Sequence, residues 1–309
     1  MRSNHRVRAM VLYNSFNSWG WLEALPPDVM QSVDVHVGDV RDIASVREFA
    51  ENSDVVYHLA ALIGIPYSYS SPRSYVETNV LGTLNVLEAA RELAIPRIVQ
   101  TSTSEVYGTA RTVPIDEEHP LQAQSPYSAT KIGADKLAES YSKAFGLPVV
   151  TLRPFNVYGP RQSARAVIPT ILAQLSAGAE VIRIGDLRPT RDFTFVEDTV
   201  AAFIAVAEAP PEDVIGRTFN AGTGTEISIG DLANLLCEIS GRAPAIVEDE
   251  ARLRPPESEV MRLVADSTAL RAATGWAPLR PLEEGLRVTA AWFARPENLA
   301  RYKWERYNR

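Results

Sequence analysis

The 309-residue chain holds one cysteine, four histidines and four lysines, and each scarcity excludes something. Cys237 alone cannot form an internal disulfide, and its apolar helical surroundings mark it as a small core residue. Histidines scattered at positions 5, 36, 58 and 119 make no zinc set, so no metal is expected. No apolar run reaches ~18 residues, so no membrane span and no membrane partner are expected. The basic opening Met-Arg-Ser-Asn-His-Arg lacks the apolar stretch of a secretory signal, and a cytoplasmic location is the expectation. A formal charge of −7 with no basic block argues against a nucleic-acid partner.

Glycine is scarce where it would matter most. The first of 17 glycines is Gly20, and nowhere do three fall in a Gly-x-Gly-x-x-Gly or Gly-x-x-Gly-x-x-Gly pattern. Arginine, by contrast, is abundant at 27 residues, and its fork suits bidentate phosphate recognition. For most of these arginines a coding bias is the preferred explanation.

The first half alternates short apolar runs with helical patterns. Strands are predicted at Arg6–Tyr13, Val33–Val37, Asp54–Leu59, Arg97–Thr101 and Pro148–Leu152, and helices at Ile43–Glu51, Pro72–Ala94 and Pro126–Phe145. This alternation implies an α/β fold, a doubly wound parallel sheet with helices on both faces and ligands beyond the carboxyl ends of its strands. After Arg153 prolines and arginines become frequent and helices shorten. Residues 1–153 are therefore expected to form a Rossmann-like domain, and 154–309 mainly a smaller substrate lobe from which segments such as 192–208 return to the first domain.

Two motifs carry chemistry. Tyr127-Ser-Ala-Thr-Lys131 opens a predicted helix, placing tyrosine and lysine on one face. An ammonium beside a phenol favours the phenolate, a base able to take a proton from a hydroxyl. Ser102-Thr103-Ser104-Glu105 follows a predicted strand, where Thr103 can bond the same hydroxyl and Glu105 brings a carboxylate. Turn capping by the hydroxyls and a solvated Glu105 are the plainer alternatives.

The pairing of Thr103-Ser104-Glu105 with Tyr127-x-x-x-Lys131 resembles the extended short-chain dehydrogenase/reductase family, in its nucleotide-sugar 4,6-dehydratase branch. His58-Leu-Ala-Ala61, Gly38-Asp-Val-Arg-Asp42, Arg153-Pro-Phe-Asn-Val-Tyr-Gly-Pro-Arg161, Arg191-Asp-Phe-Thr-Phe-Val-Glu-Asp198 and Arg254-Pro255 are similar to further family segments. The stretches Tyr13-Asn-Ser-Phe-Asn-Ser-Trp-Gly-Trp21 and Ala61-Leu-Ile-Gly-Ile-Pro-Tyr67 look like those of the N-acetylglucosamine 4,6-dehydratases of legionaminic-acid type.

The resemblance implies an NAD-dependent enzyme acting on a nucleotide-diphosphate sugar, UDP- or GDP-N-acetylglucosamine. Tyr127 would deprotonate the C4 hydroxyl, Lys131 would hold the nicotinamide ribose and lower the phenol's pKa, and Thr103 would complete the relay. Glu105 would remove the C5 proton. Ser104 stands where relatives often carry an aspartate acid, so Glu105 would act as both base and acid. Cofactor contacts would fall on Asp39, Val40, Leu59, Ala60, Ala61 and Pro154 as well as on Tyr127 and Lys131. Asn156, Arg191 and Arg254 would grip the diphosphate. The alternatives are a turn residue, a surface pair of Arg191 with Asp192, and a solvated loop charge at Arg254. Tyr67 and Tyr69 would pack beneath their loop or line the sugar pocket. A homodimer through helices 72–94 and 126–145 is implied.

The family begins with a strand, a glycine-rich turn and a helix that holds the cofactor pyrophosphate. Here the chain opens at what looks like the second strand, Arg6–Tyr13. A shortened reading of a longer gene, a shift of Arg6–Tyr13 into the place of the first strand, or a chain with weakened cofactor binding and no activity are the three expectations. Tyr13 and Asn14 stand where the family commonly carries a ribose-binding aspartate, which leaves NADP open beside NAD. A 4-epimerase, a nucleotide-sugar decarboxylase and a non-catalytic binding or scaffold protein are the competing functions.

Overall fold

The computed structural model describes residues 5–307; Met1 to Asn4, the first part of the opening stretch, and the final Asn308 and Arg309 lie outside the described residues. Strands β1 (Val7–Val11) and β2 (Val33–Val37) pair in parallel, Val7 opposite Val33. Then follow β3 (Val56–His58), β4 (Ile98–Thr101) and β5 (Val149–Pro154). The second half contributes β6 (Asn156–Tyr158), β7 (Val181–Ile184), β8 (Thr190–Arg191), β9 (Phe193–Phe195) and β10 (Thr218–Ala221). The last of these returns to the first half, so the main sheet runs β10-β5-β4-β3, parallel throughout.

Alternation along these strands is apolar on both faces, which is what a parallel sheet covered twice requires. Ile98 and Val149 face one helical layer, and their neighbours Val99 and Val150 face the other. After α1 (Ile43–Ala50), the first layer is the 72–92 helix, here α2, with α3 (Pro126–Phe145). The second is built from a helix of the second half, Val196–Glu208, through Ala202 and Val206. Each fully buried Val or Leu side chain contributes roughly 1.5–3 kcal/mol. The remaining lobe packs around Tyr158, Phe193, Phe195, Leu232, Leu236 and Phe293.

Two predicted features are corrected. The Pro72–Ala94 helix is not uniform: Pro72–Tyr75 passes through a wider π-helical turn at Val76–Leu81 before Gly82–Glu92. Within that turn the buried Asn79 donates to the Leu62 carbonyl and the Thr130 hydroxyl and accepts from the Leu62 N–H, so a loop near the site is tied to the turn. Nor does β1 shift against β3. β1 pairs with β2 alone and β3 with β4 alone, so the described strands of the first half form two separate sheets.

Candidate active site

The chain leaves β4 at Thr101 and turns at once. Thr103 is extended, and its hydroxyl accepts from the Glu105 N–H at 3.2 Å, folding Ser104–Tyr107 into a single tight turn. The turn closes on Gly108 at φ 63°, where an added Cβ would lie 2.8 Å from the Gln122 carbonyl oxygen. Ser102 points inward and donates to Asp135 at 2.8 Å, and Ser104 is buried.

α3 starts where its residues dictate. The Ser125 hydroxyl accepts from the Ser128 N–H at 3.1 Å, Pro126 occupies the first turn, and Gly146 ends the helix at φ 65°. A cap of this kind is worth about 1 kcal/mol. It also fixes Tyr127 and Lys131 in the first two turns, both buried against the end of β4. The Tyr75 ring meets that of Tyr127 edge-on, centroids 6.3 Å apart.

The electrostatics differ from the expected lowering of the phenol by the lysine. Burial raises the Tyr127 phenol well above its usual value, a hydrogen bond with Thr103 opposes this, and the Glu105 charge adds to it. Burial also pushes Lys131 down to about 8, with Asp135 acting to raise it. The Lys131 ammonium donates to the Thr101 carbonyl at 2.6 Å. Desolvation disfavours both charged forms and outweighs the local attraction.

Behind Lys131 a buried network fixes Asp135. It accepts from Arg153 Nε at 3.1 Å and pairs with Arg153 Nη2 at 3.0 Å. Arg153 donates to the Tyr107 hydroxyl at 2.8 Å, and Tyr107 donates to Asn220 at 2.7 Å. Asp135 Oδ1 has no hydrogen-bond partner.

On the second lobe, β6 pairs with β9, Asn156 opposite Phe193. The Asn156 side-chain oxygen is buried without a hydrogen-bond partner. Arg191, two residues before Phe193, is buried and pairs with Glu259 at 3.3 Å rather than with Asp192. Asp192 instead accepts from the backbone N–H groups of Thr223, Gly224 and Ala265. Successive residues of extended backbone face opposite ways, which separates the two. Arg254 is no solvated charge either: it pairs with Glu259 at 3.4 Å. Burial disfavours its charge, but Glu105 and Glu259 more than offset that and raise its pKa. The charge of Glu105 thus acts on Tyr127, Arg191 and Arg254 together. Tyr67 packs beside Tyr75, and the Tyr69 hydroxyl meets Ser258 Oγ at 2.5 Å.

The residues assigned to a cofactor fit it unequally. At the nicotinamide-ribose end, Tyr127 and Lys131 are buried against the end of β4, with Pro154 at the end of the neighbouring β5. This donor and acceptor set suits a polyhydroxylated ribose. At the adenine end, Asp39 is held by Arg41 Nε at 2.9 Å, which lowers its pKa, and the Val40 carbonyl accepts from Asn85 at 2.9 Å. Leu59 and Ala60 lie exposed just past β3, and Ala61 is half-buried. The loops 12–26 and 59–64 each carry a single glycine, Gly20 and Gly64, so neither forms a glycine-rich phosphate turn.

Sequence reasoning missed Tyr75, Asn79, Asp135 and Glu259. Asp135 had a signal, since it lies one helical turn after Lys131 on the same face. Glu259 had none, because its partners come together only when β8 pairs with β11 (Arg262–Leu263).

A parallel sheet with a tyrosine, a threonine and a carboxylate at its carboxyl edge, faced by arginines of a second lobe, defines a nucleotide-sugar dehydratase or epimerase of Rossmann fold. Residues 1–289 match the family model described as GDP-mannose 4,6 dehydratase, and the chain belongs to that family. The chain is 35% identical over 256 residues to the dTDP-glucose 4,6-dehydratase of Streptomyces griseus, covering 83% of this chain and 76% of that one. It is also 35% identical over 245 residues to the UDP-glucose 4-epimerase of Mycolicibacterium smegmatis, covering 78% and 76%. The crystal structure of DesIV, a dTDP-glucose 4,6-dehydratase from Streptomyces venezuelae with NAD and TYD bound, superposes with a TM-score of 0.84 at 26% identity, covering 97% of this chain and 91% of that one. No helix among the described residues is long and apolar enough to cross a membrane.

Proposed function

We propose that the chain is an NAD-dependent nucleotide-sugar 4,6-dehydratase acting on UDP- or GDP-N-acetylglucosamine to give a 4-keto-6-deoxy sugar. The observation that carries the reading is Glu105. A 4-epimerase needs a tyrosine, a lysine and a threonine, but no carboxylate beside them. Here the carboxylate shares an electrostatic neighbourhood with Tyr127 and with both arginines.

NAD, when bound, supplies a reversible hydride acceptor. Tyr127 and Lys131 would hold its nicotinamide ribose, Pro154 the nicotinamide side, and Asp39, Val40, Leu59, Ala60 and Ala61 the adenosine side. Tyr127 takes the C4 hydroxyl proton, with Thr103 bonding the same oxygen. The phenol is raised by burial; a cation on Lys131, four residues on along the same helix face, would favour its ionisation. Once C4 is a ketone the C5 proton is acidic, and Glu105 removes it. Glu105, with the buried Ser104 beside it, then delivers the proton that lets the C6 hydroxyl leave as water. Asn156, Arg191 and Arg254 bind the diphosphate, the guanidinium fork matching phosphate oxygens.

Incubation with UDP- and GDP-N-acetylglucosamine plus NAD tests the reading. A 4-keto-6-deoxy product that keeps deuterium from C4 supports it; a C4 epimer as the product assigns the chain to the epimerases. A homodimer through helices 72–94 and 126–145 accords with the exposed Val76, Leu81 and Phe145 on them. A monomer by light scattering contradicts the dimer.

A further inference from the structure

Arg254 and Glu259 are five residues apart on a loop whose prolines, Pro255 and Pro256, stiffen it. A tight turn at Pro256–Ser258 reverses the chain and brings their side chains together. The loop is fastened to the first half: Ser258 Oγ donates to the Gln124 carbonyl, and the Glu259 carbonyl accepts from Gln124 Nε2 at 3.4 Å. Pairing of β11 with β8 then sets Arg191 beside it.

In this arrangement one atom, Glu259 Oε1, faces Arg191 Nη2 at 3.3 Å and Arg254 Nη1 at 3.4 Å. Charge-assisted N–H···O bonds normally close to about 2.7–2.9 Å. Both contacts are therefore loose, and each guanidinium spends only one nitrogen on them. Two like charges converge on a single oxygen, as two guanidiniums must to grip a phosphate. That oxygen belongs to a monoanion, whereas a diphosphate brings more charge and more acceptors.

Resting on the reading that the site takes a nucleotide-diphosphate sugar, we propose that Glu259 is a positioning residue that serves as a built-in counter-anion. It holds Arg191 and Arg254 converged in the free protein and is exchanged for the diphosphate when the ligand enters. Exchange keeps the arginines from repelling one another while lowering the net affinity, which favours release of a product that carries the same diphosphate as the substrate.

The test is calorimetric titration of the full chain with UDP, GDP and dTDP, alongside Glu259→Gln and Glu259→Asp. Glutamine keeps an acceptor without the charge; aspartate is one methylene short of reaching both arginines. Glu259→Gln is expected to tighten nucleoside-diphosphate binding about tenfold, since a competing charge has gone, and Glu259→Asp to tighten it less, since its charge stays but withdraws from the arginines; both should lower KM more than kcat. A merely structural role would weaken binding instead. Should wild type bind and both variants bind equally or more weakly, the counter-anion assignment is overturned while the dehydratase reading stands. Should wild type bind none of the three diphosphates, the reading of the site itself fails.

Discussion

Asp135 and Glu259 each stand between two cations, Asp135 beside Arg153 and Lys131 in the interior, Glu259 between Arg191 and Arg254 on the second lobe. Asp135 is enclosed. Its contacts with Arg153 measure 3.0 and 3.1 Å, and Ser102 adds a third at 2.8 Å. Glu259 is partly exposed and its two contacts are longer, at 3.3 and 3.4 Å. A short, fully desolvated ion pair fixes geometry and does not exchange. A longer one at the edge of solvent can give way to a stronger anion. The same chemistry thus serves a permanent support in one place and a replaceable one in the other.

The largest expected effect separates the two by stability. Asp135→Leu leaves Arg153 buried without its carboxylate and should cost about 3–5 kcal/mol in urea denaturation. Glu259→Gln should cost distinctly less, because glutamine retains an acceptor and Glu105 remains near both arginines. Equal losses would erase the distinction.

Next comes ligand affinity. Arg254→Met removes one of the two guanidiniums facing Glu259 and should weaken UDP or GDP binding by about 10- to 100-fold, the worth of a charged hydrogen bond. Binding unchanged within error would remove Arg254 from the diphosphate site.

The smallest effect is a shift in pH dependence. Lys131 holds its proton only to about pH 8, well below the ordinary lysine value of about 10.4. Activity should therefore fall on an alkaline limb near pH 8. Between the two values the unfolded chain binds more protons than the folded one, so this group makes stability rise with pH over that window. Activity and stability then move in opposite directions, which a pH series of rates and denaturation midpoints would show. Asp135→Asn should move the activity limb to lower pH, because the Asp135 charge supports the protonated lysine; an unmoved limb contradicts that link.

Much of the fold was legible because its signals are local. α3 runs over the predicted Pro126–Phe145, and Val33–Val37 is a strand over its full predicted length. The π-helical turn at Val76–Leu81 was not legible, since Asn79 bonds to Leu62 and Thr130, both distant in sequence. In the site, the two motifs could be read from spacing, and the structure brings Thr103, Glu105 and Tyr127 together with Arg191 and Arg254. What spacing could not supply is burial. It reverses the expected shift of Tyr127 and lowers Lys131, and both depend on what covers α3 rather than on α3 itself. Arg191 beside Asp192 is a further case: adjacency in sequence suggested a pair, and extended backbone divided it.

The central claim is that Glu105 makes this site a dehydratase. Glu105→Gln, incubated with NAD and whichever of UDP- or GDP-N-acetylglucosamine the wild type converts, tests it most directly by product analysis in D₂O. The account predicts cofactor binding intact, oxidation at C4 retained, and neither exchange at C5 nor loss of water from C6. A variant that forms the 4-keto-6-deoxy sugar at the wild-type rate would contradict it.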